Sequence, residues 1–228
     1  MEKMPYRDEL QTVMVMPSIT TTTPSTTTVV STDWKEGLPT LRGQNVVLRE
    51  LRASDAPSLF AMLTTEEVSR FISPPPTTVE GFERFIGWTL RQRAAGQYAC
   101  FAVTLHGYDT AVGIFQLRET EPGFGTAEWG FAIGSPFWGT GVFQDGAKLV
   151  LDFAFNTVGV HRLEARAAVL NGRGNGALIK TGAVQECILR QSFQKDGKRI
   201  DQVLYAILED DWRVLRADIR FHRAPQVH

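Results

Sequence analysis

Between Gly134 and Gln144 the chain reads Gly-Ser-Pro-Phe-Trp-Gly-Thr-Gly-Val-Phe-Gln. A strand-like run, Thr126 to Ile133, leads into it. Behind it, Ala147, Val150, Leu151, Ala154, Phe155 and Val158 form an apolar stripe at helical spacing. Gly139 and Gly141 permit positive φ and leave room for a ligand against the backbone. Successive amide N–H groups in such a turn converge on an anion. The following helix adds roughly half a positive charge at its N-terminus. The chemistry on offer is the binding of a phosphate or pyrophosphate; the alternative is a plain strand-to-helix turn. Two better-known phosphate loops do not match. No Lys-Ser or Lys-Thr follows the glycines, and the third glycine of a dinucleotide fingerprint is missing. His106, His161, His222 and His228 lack metal-ligand spacing, so no metal is expected.

The elements that position this turn can be read around it. Val46 to Leu51 is a first strand. Ser54 is an N-cap candidate for a helix carrying Ala56, Leu59, Phe60 and Leu63. Thr77 and Glu80 suggest a capping box for a second helix, which ends at Gly96. Strands are expected at Tyr98 to Leu105, Ala111 to Leu117 and Thr126 to Ile133. After the long helix come a strand from Arg162 to Val169, a short helix from Asn175 to Thr181, and a hairpin. The hairpin joins Val184–Phe193 to Ile200–Leu208 through Lys195-Asp196-Gly197-Lys198. Seven strands in this order with interspersed helices predict a mixed α+β sheet, not an evenly alternating doubly wound fold.

Bulk properties narrow the classes. The 228 residues are 43% hydrophobic and carry a net charge of −1. This suits one domain with an appendage and gives no basic field for nucleic acid. Cys100 and Cys187 lie in strand-like runs and read as small buried hydrophobes rather than a disulfide. No apolar run has signal-peptide or transmembrane form, so a cytoplasmic protein without membrane contact is expected. Residues 1–33, with Thr-Thr-Thr-Thr-Pro-Ser-Thr-Thr-Thr from Thr20 to Thr28, read as a disordered or extended arm. Such an arm suits docking on a sheet edge or a partner subunit, which leaves a homodimer open. The compact domain is expected at residues 34–213, with residues 214–228 as a tail.

Several stretches in register resemble the GNAT superfamily of N-acetyltransferases, in the branch with the RimJ and RimL protein N-terminal acetyltransferases. They are Ala127-Glu128-Trp129-Gly130-Phe131-Ala132-Ile133, Phe137-Trp138-Gly139-Thr140-Gly141 and Leu151-Asp152-Phe153-Ala154-Phe155. Val46-Val47-Leu48-Arg49, Val160 to Arg166, Asn171 before Lys180-Thr181-Gly182, and the final hairpin agree in order. The likeness covers about Leu41 to Arg213. It implies a mostly antiparallel twisted sheet in which two central parallel strands splay into a V. It further implies acetyl-coenzyme A as co-substrate. Pantetheine would pair with Phe131, Ala132 and Ile133, and pyrophosphate would lie on Trp138, Gly139, Thr140, Gly141, Val142, Phe143 and Gln144. Asn171 would hold the pantetheine amide, or serve only as a loop cap. Some positions depart from the family pattern: Thr140 replaces a usual Lys, bulky Phe143 a small residue, Gly174 a Ser and Ala183 a Phe. The run Asn171 to Gly176 therefore reads as unusually pliable.

Transfer of an acetyl group to an amine requires the neutral amine, and an α-amino group with a pKa of about 7.7–8.0 asks less of a base than a lysine near 10.4. Glu128 is the candidate base, acting through a water, because alternation puts it on the face of the small residues Gly130 and Ala132. The alternative is a strand carboxylate in an ion pair. Tyr205 is the candidate acid or substrate-positioning hydroxyl, although its face, shared with Val203 and Ile207, equally suits a half-buried aromatic. A backbone N–H near Ile133 would polarise the thioester. Arg70 and Glu83, beside the Pro74-Pro75-Pro76 loop, border the acceptor side or face solvent. The expected acceptor is a peptide or protein α-amino group. The alternatives are a small-molecule amine and a non-catalytic coenzyme A-binding domain.

Overall fold

The structure is a computed structural model and describes residues 33–223. The expected arm lies outside the described residues, apart from Asp33. Eight strands form one sheet: β1 (Leu41–Arg42), β2 (Val46–Glu50), β3 (Tyr98–Leu105), β4 (Tyr108–Glu119), β5 (Thr126–Ile133), β6 (Arg162–Ala168), β7 (Val184–Lys195) and β8 (Lys198–Leu208). Their spatial order is β1-β2-β3-β4-β5-β6-β8-β7. The eighth, unexpected strand is the two-residue edge β1, too short to show a period. All pairs are antiparallel except β5 and β6.

Two helical layers cover the sheet. On one face lie α1 (Ala56–Leu63), α2 (Glu66–Ser69) and α3 (Val79–Ala94). They bury Leu59, Leu63, Phe82, Phe85 and Ile86 against the even-numbered side chains Cys100 and Ala102 of β3, Ile114 of β4 and Ala132 of β5. Each such aliphatic or aromatic side chain contributes about 1.5–3 kcal/mol on burial. The cap of α3 is Thr78, whose hydroxyl accepts from Gly81 N–H at 3.0 Å. It lies one residue beyond the expected box, because Thr77 precedes the last extended residue. Ser54 likewise falls inside a short 3-10 turn (Ala53–Asp55), and Asp55 precedes α1. The opposite face packs α4 (Val142–Phe153), α5 (Gly172–Ile179) and α6 (Glu209–Arg223), with Val150, Leu151, Phe153, Leu178 and Trp212 in the core. Gly146 brings α4 close to the sheet: a Cβ there would stand 2.4 Å from the Phe115 ring.

Helix α6 runs straight through the expected domain boundary at residue 213. Trp212 stacks on Phe155 with centroids 5.1 Å apart. Leu215 reaches Gly182, where an added Cβ would meet it at 2.4 Å. The second turn of α6 therefore packs on the domain rather than leaving it. The cysteine expectation divides: Cys100 is buried, but Cys187 on the edge strand β7 is exposed. An edge strand has solvent on one side, and no described helix covers this one. Asp196 (φ +48°) and Gly197 (φ +77°) close the β7–β8 hairpin as the Asp-Gly pair predicts.

The parallel pair matters most. β5 and β6 are in register only over Thr126↔Arg162, Ala127↔Leu163 and Glu128↔Glu164. Beyond Glu128 the strands part, while β5 remains paired with β4 as far as Gly113↔Ile133. The result is the expected V, with Glu128 at its apex.

Candidate active site

The free edge of β5 forms one side of the V. Gly134 N–H donates to Val112 O on β4 at 2.9 Å. Alternation along an antiparallel pair then turns the amides and carbonyls of Trp129, Phe131 and Ile133 toward the gap. Trp138 confirms the direction at one point: its indole Nε1 donates to Ile133 O at 2.8 Å. That bond fixes the tryptophan at the mouth of the V. The N–H groups of Phe131 and Ile133 lie on the same edge.

The glycine turn follows directly. Gly139 and Gly141 have φ of +76° and +88°, and a Cβ built on either meets no atom within 4 Å. The left-handed conformation strongly favours glycine, and the space above it is free to take a ligand. Gly141 is the N-cap of α4. The first-turn Asp145 does not compete for that space. Its carboxylate accepts from Asn45 N–H at 2.7 Å and Val46 N–H at 3.1 Å, tying α4 to the start of β2. Thr140 Oγ1 donates to Phe137 O at 2.7 Å and stabilises the turn. The bulk of Phe143 is absorbed sideways. Its ring packs on Phe131 at 4.4 Å between centroids, within a cluster that includes Phe115 and Trp129.

A cavity of about 1260 Å³ lies beside the free edge of β5, past the point where the strands part. Phe131, Ala132 and Ile133 line it from β5; Trp138, Gly139, Gly141, Phe143 and Gln144 line it from the turn. Asn171, Gly172, Arg173, Gly174 and Lys180 form the wall across from the turn, and Val68, Arg70, Phe71 and Ile72 line the cavity from the α2 segment. Of the residues expected to bind cofactor, the lining omits Thr140 and Val142. The first points its hydroxyl inward to the turn, and the second is buried in the core.

The α5 wall is built differently from its sequence impression. The helix starts at Gly172, three residues earlier than expected, and Asn171 caps it by accepting from Gly174 N–H at 2.9 Å. Asn175 then ties the segment down. Its Nδ2 donates to Ala168 O, Asn171 O and Val169 O at 3.0, 2.8 and 3.3 Å, and its Oδ1 accepts from Tyr205 Oη at 3.1 Å. The pliability expected of this run is removed by those bonds. Sequence reasoning passed over Asn175; its signal was an asparagine four residues after the cap, one helical turn on. Sequence reasoning gave Arg173 no role. Its guanidinium lies over the Trp138 ring at 3.9 Å, bridging the two walls.

Neither expected catalytic side chain lines the cavity. Glu128 is 6% exposed and paired with Arg118 at 2.5 Å, its neighbour across the β4–β5 rung. It points to the α1–α3 face, as alternation predicted. Tyr205 is 2% exposed in the main core, because β8 turns its odd-numbered residues under α5. Burial pushes its phenol above the ordinary range. Tyr98, one strand beyond Arg118, is pushed up for the same reason, and its hydroxyl donates to Gln116 Oε1 at 2.5 Å. Among the described residues no cluster of three or more His, Cys, Asp or Glu could hold a metal, and no helix is long and apolar enough to cross a membrane. Glu83 is exposed and does not line the cavity, in line with its solvent-facing alternative, whereas Arg70 does line it.

Comparison with known proteins places this geometry. The family model described as an acetyltransferase (GNAT) domain matches residues 45–184. An uncharacterised N-acetyltransferase, p20, of Bacillus licheniformis is 23% identical over 77% of this chain and 99% of its own. The uncharacterised N-acetyltransferase YoaA of Bacillus subtilis is 25% identical over 75% and 97%. Among solved structures, RimJ of Mycobacterium smegmatis in complex with CoA-disulfide superposes with a TM-score of 0.69 over 78% of this chain and 94% of that one, at 20% identity, and so shares the fold. With a domain match over more than half its length and relatives named for the activity, the chain belongs to the GNAT family and is an N-acetyltransferase.

Proposed function

We propose that the protein moves an acetyl group from acetyl-coenzyme A to the α-amino group of a peptide or protein. The observation that carries this reading is the cavity along the free edge of β5, lined both by the two-glycine turn and by the Arg70–Ile72 segment. The residues fit the co-substrate, since the space over Gly139 and Gly141 would take a pyrophosphate and the free edge of β5 would take a pantetheine arm. Acetyl-coenzyme A supplies an activated acetyl thioester. The N–H groups at Phe131 and Ile133 offer donors to a carbonyl held along that edge. Asn171, fixed as a helix cap, borders the same path.

Glu128 is assigned the base role, through a water. Support comes from its place on the last rung before the strands part and from Arg118, which fixes its carboxylate. Tyr205 is assigned a positioning role: its hydroxyl holds Asn175, and Asn175 holds the α5 wall. The α-amino acceptor follows from chemistry, because one carboxylate acting through water suits an amine with a pKa of about 7.7–8.0.

The test is Glu128→Gln. Turnover should fall by about tenfold or more near neutral pH, with acetyl-coenzyme A affinity kept. The deficit should shrink as pH rises through the amine's own pKa and the amine arrives neutral. Equal turnover of variant and parent at every pH would remove Glu128 from the mechanism. Coenzyme A binding without turnover of any peptide or small amine would favour the non-catalytic alternative.

A further inference from the structure

The glycine turn is short of positive charge. From Gly134 to Gln144 it contains no lysine or arginine, and the nearest charged side chain of α4, Asp145, is anionic and committed to Asn45 and Val46. Backbone amides and a helix end contribute only partial charges. Two phosphate esters joined in a pyrophosphate need more than that, and the cation must come from another element.

Three cationic residues line the cavity: Arg70, Arg173 and Lys180. Arg70 lies over its own neighbour Phe71 at 5.2 Å. Arg173 is the one held to the turn. Its guanidinium stacks on Trp138 at 3.9 Å, and Trp138 directly precedes Gly139. Both ends of this contact are fixed. The indole is tied to Ile133 O, and the Arg173 backbone lies between the Asn171 cap and the Asn175 clamp. Among the described residues no carboxylate pairs with Arg173. A guanidinium stacked by its face leaves its in-plane N–H donors free, and their fork matches two phosphate oxygens.

We propose that Arg173 supplies the charge that the turn lacks, reaching from α5 to bind a phosphate group of the co-substrate, with Trp138 as the platform that aims it. The proposal rests on the reading that coenzyme A lies on the Gly139–Gly141 turn. It names a binding residue outside that turn, and it gives Trp138 a second role besides capping Ile133.

Two probes separate a phosphate contact from a merely structural bridge between the walls. Coenzyme A carries the phosphates; S-acetylpantetheine carries the same pantetheine arm without them. Full-length parent, Arg173→Ala and Arg173→Lys would be titrated with coenzyme A by calorimetry and with S-acetylpantetheine by NMR, which reads millimolar affinities. Losing a charge-assisted bidentate contact should weaken coenzyme A binding by about ten- to a hundredfold. Binding of S-acetylpantetheine should stay unchanged. Lysine should restore part of the loss, as a point charge without the planar stack. Equal loss for both probes would make Arg173 a strap between the walls and overturn the proposal; so would unchanged coenzyme A affinity in Arg173→Ala. A parent that binds S-acetylpantetheine but not coenzyme A would overturn the phosphate placement itself, and the proposal with it.

Discussion

Gly139 and Gly141, on one wall of the cavity, hold φ of +76° and +88°; Gly172, Gly174 and Gly176, on the opposite wall, lie inside α5 with ordinary helical backbone. Both segments are rich in glycine, yet they need it for different reasons. In the turn, glycine is demanded by backbone conformation. In α5 only Gly174 is constrained, and the constraint is space: a Cβ there would lie 2.4 Å from the Asn171 side chain. At Gly172 and Gly176 an added Cβ meets nothing within 4 Å. The first wall is thus shaped by what must approach it. The second is shaped by two asparagines that tie down an otherwise weak helix.

The comparison can be broken most severely at Gly141. A valine there must adopt φ near +88°, which is costly for any side chain and worst for a β-branched one. Gly141→Val should lower acetyl-coenzyme A affinity by about tenfold or more and should also destabilise the fold by about 1–3 kcal/mol, measured by calorimetry and by denaturant unfolding. Unchanged affinity would detach the turn from the co-substrate.

Gly174→Ser should come next. It restores the residue typical of the resembled branch, but its Cβ displaces the Asn171 side chain and so removes an N-cap worth about 1 kcal/mol. The variant should be less stable by roughly that amount in urea titration. If stability rises instead, Asn171 has a second rotamer that still caps α5. Tyr205→Phe sharpens the same wall with a smaller effect. Deleting one hydroxyl bond to Asn175 should cost about 0.5–1.5 kcal/mol and raise the KM for acetyl-coenzyme A more than it lowers kcat. A fall in kcat alone would return Tyr205 to direct chemistry. Smallest, and opposite in sign, Gly176→Ala should stabilise the protein by about 0.4–1 kcal/mol, seen as a higher Tm. The same change at Gly139 should do the reverse.

Those contrasts show why part of the molecule was legible in its sequence and part was not. Strands β2 to β8 follow from alternation and turn residues, and the Gly-x-Gly turn announces its own conformation. The V was available only through family resemblance, since nothing in Arg162 to Ala168 says that its pairing with β5 stops at Glu164. Start sites of helices were misplaced where capping groups competed: Thr77 against Thr78, and Asn175 against Asn171. Helix α6 is hard to read because it opens on the acidic run Glu209-Asp210-Asp211 and its buried anchor, Trp212, is a single residue. The Tyr205–Asn175 and Arg173–Trp138 contacts join residues 30 and 35 positions apart. No local pattern encodes a meeting of that kind.

The central claim is that this cavity turns over acetyl-coenzyme A with an amine, and thiol release measures it most directly. Purified full-length protein would be incubated with acetyl-coenzyme A and a panel of short peptides with free α-amino groups, each paired with its N-formylated form. The account predicts thiol release with free α-amino peptides, none with the blocked forms, and acetyl found on the α-nitrogen by mass spectrometry. Thiol release that ignores the block, or no release with any free amine despite coenzyme A binding, would contradict it.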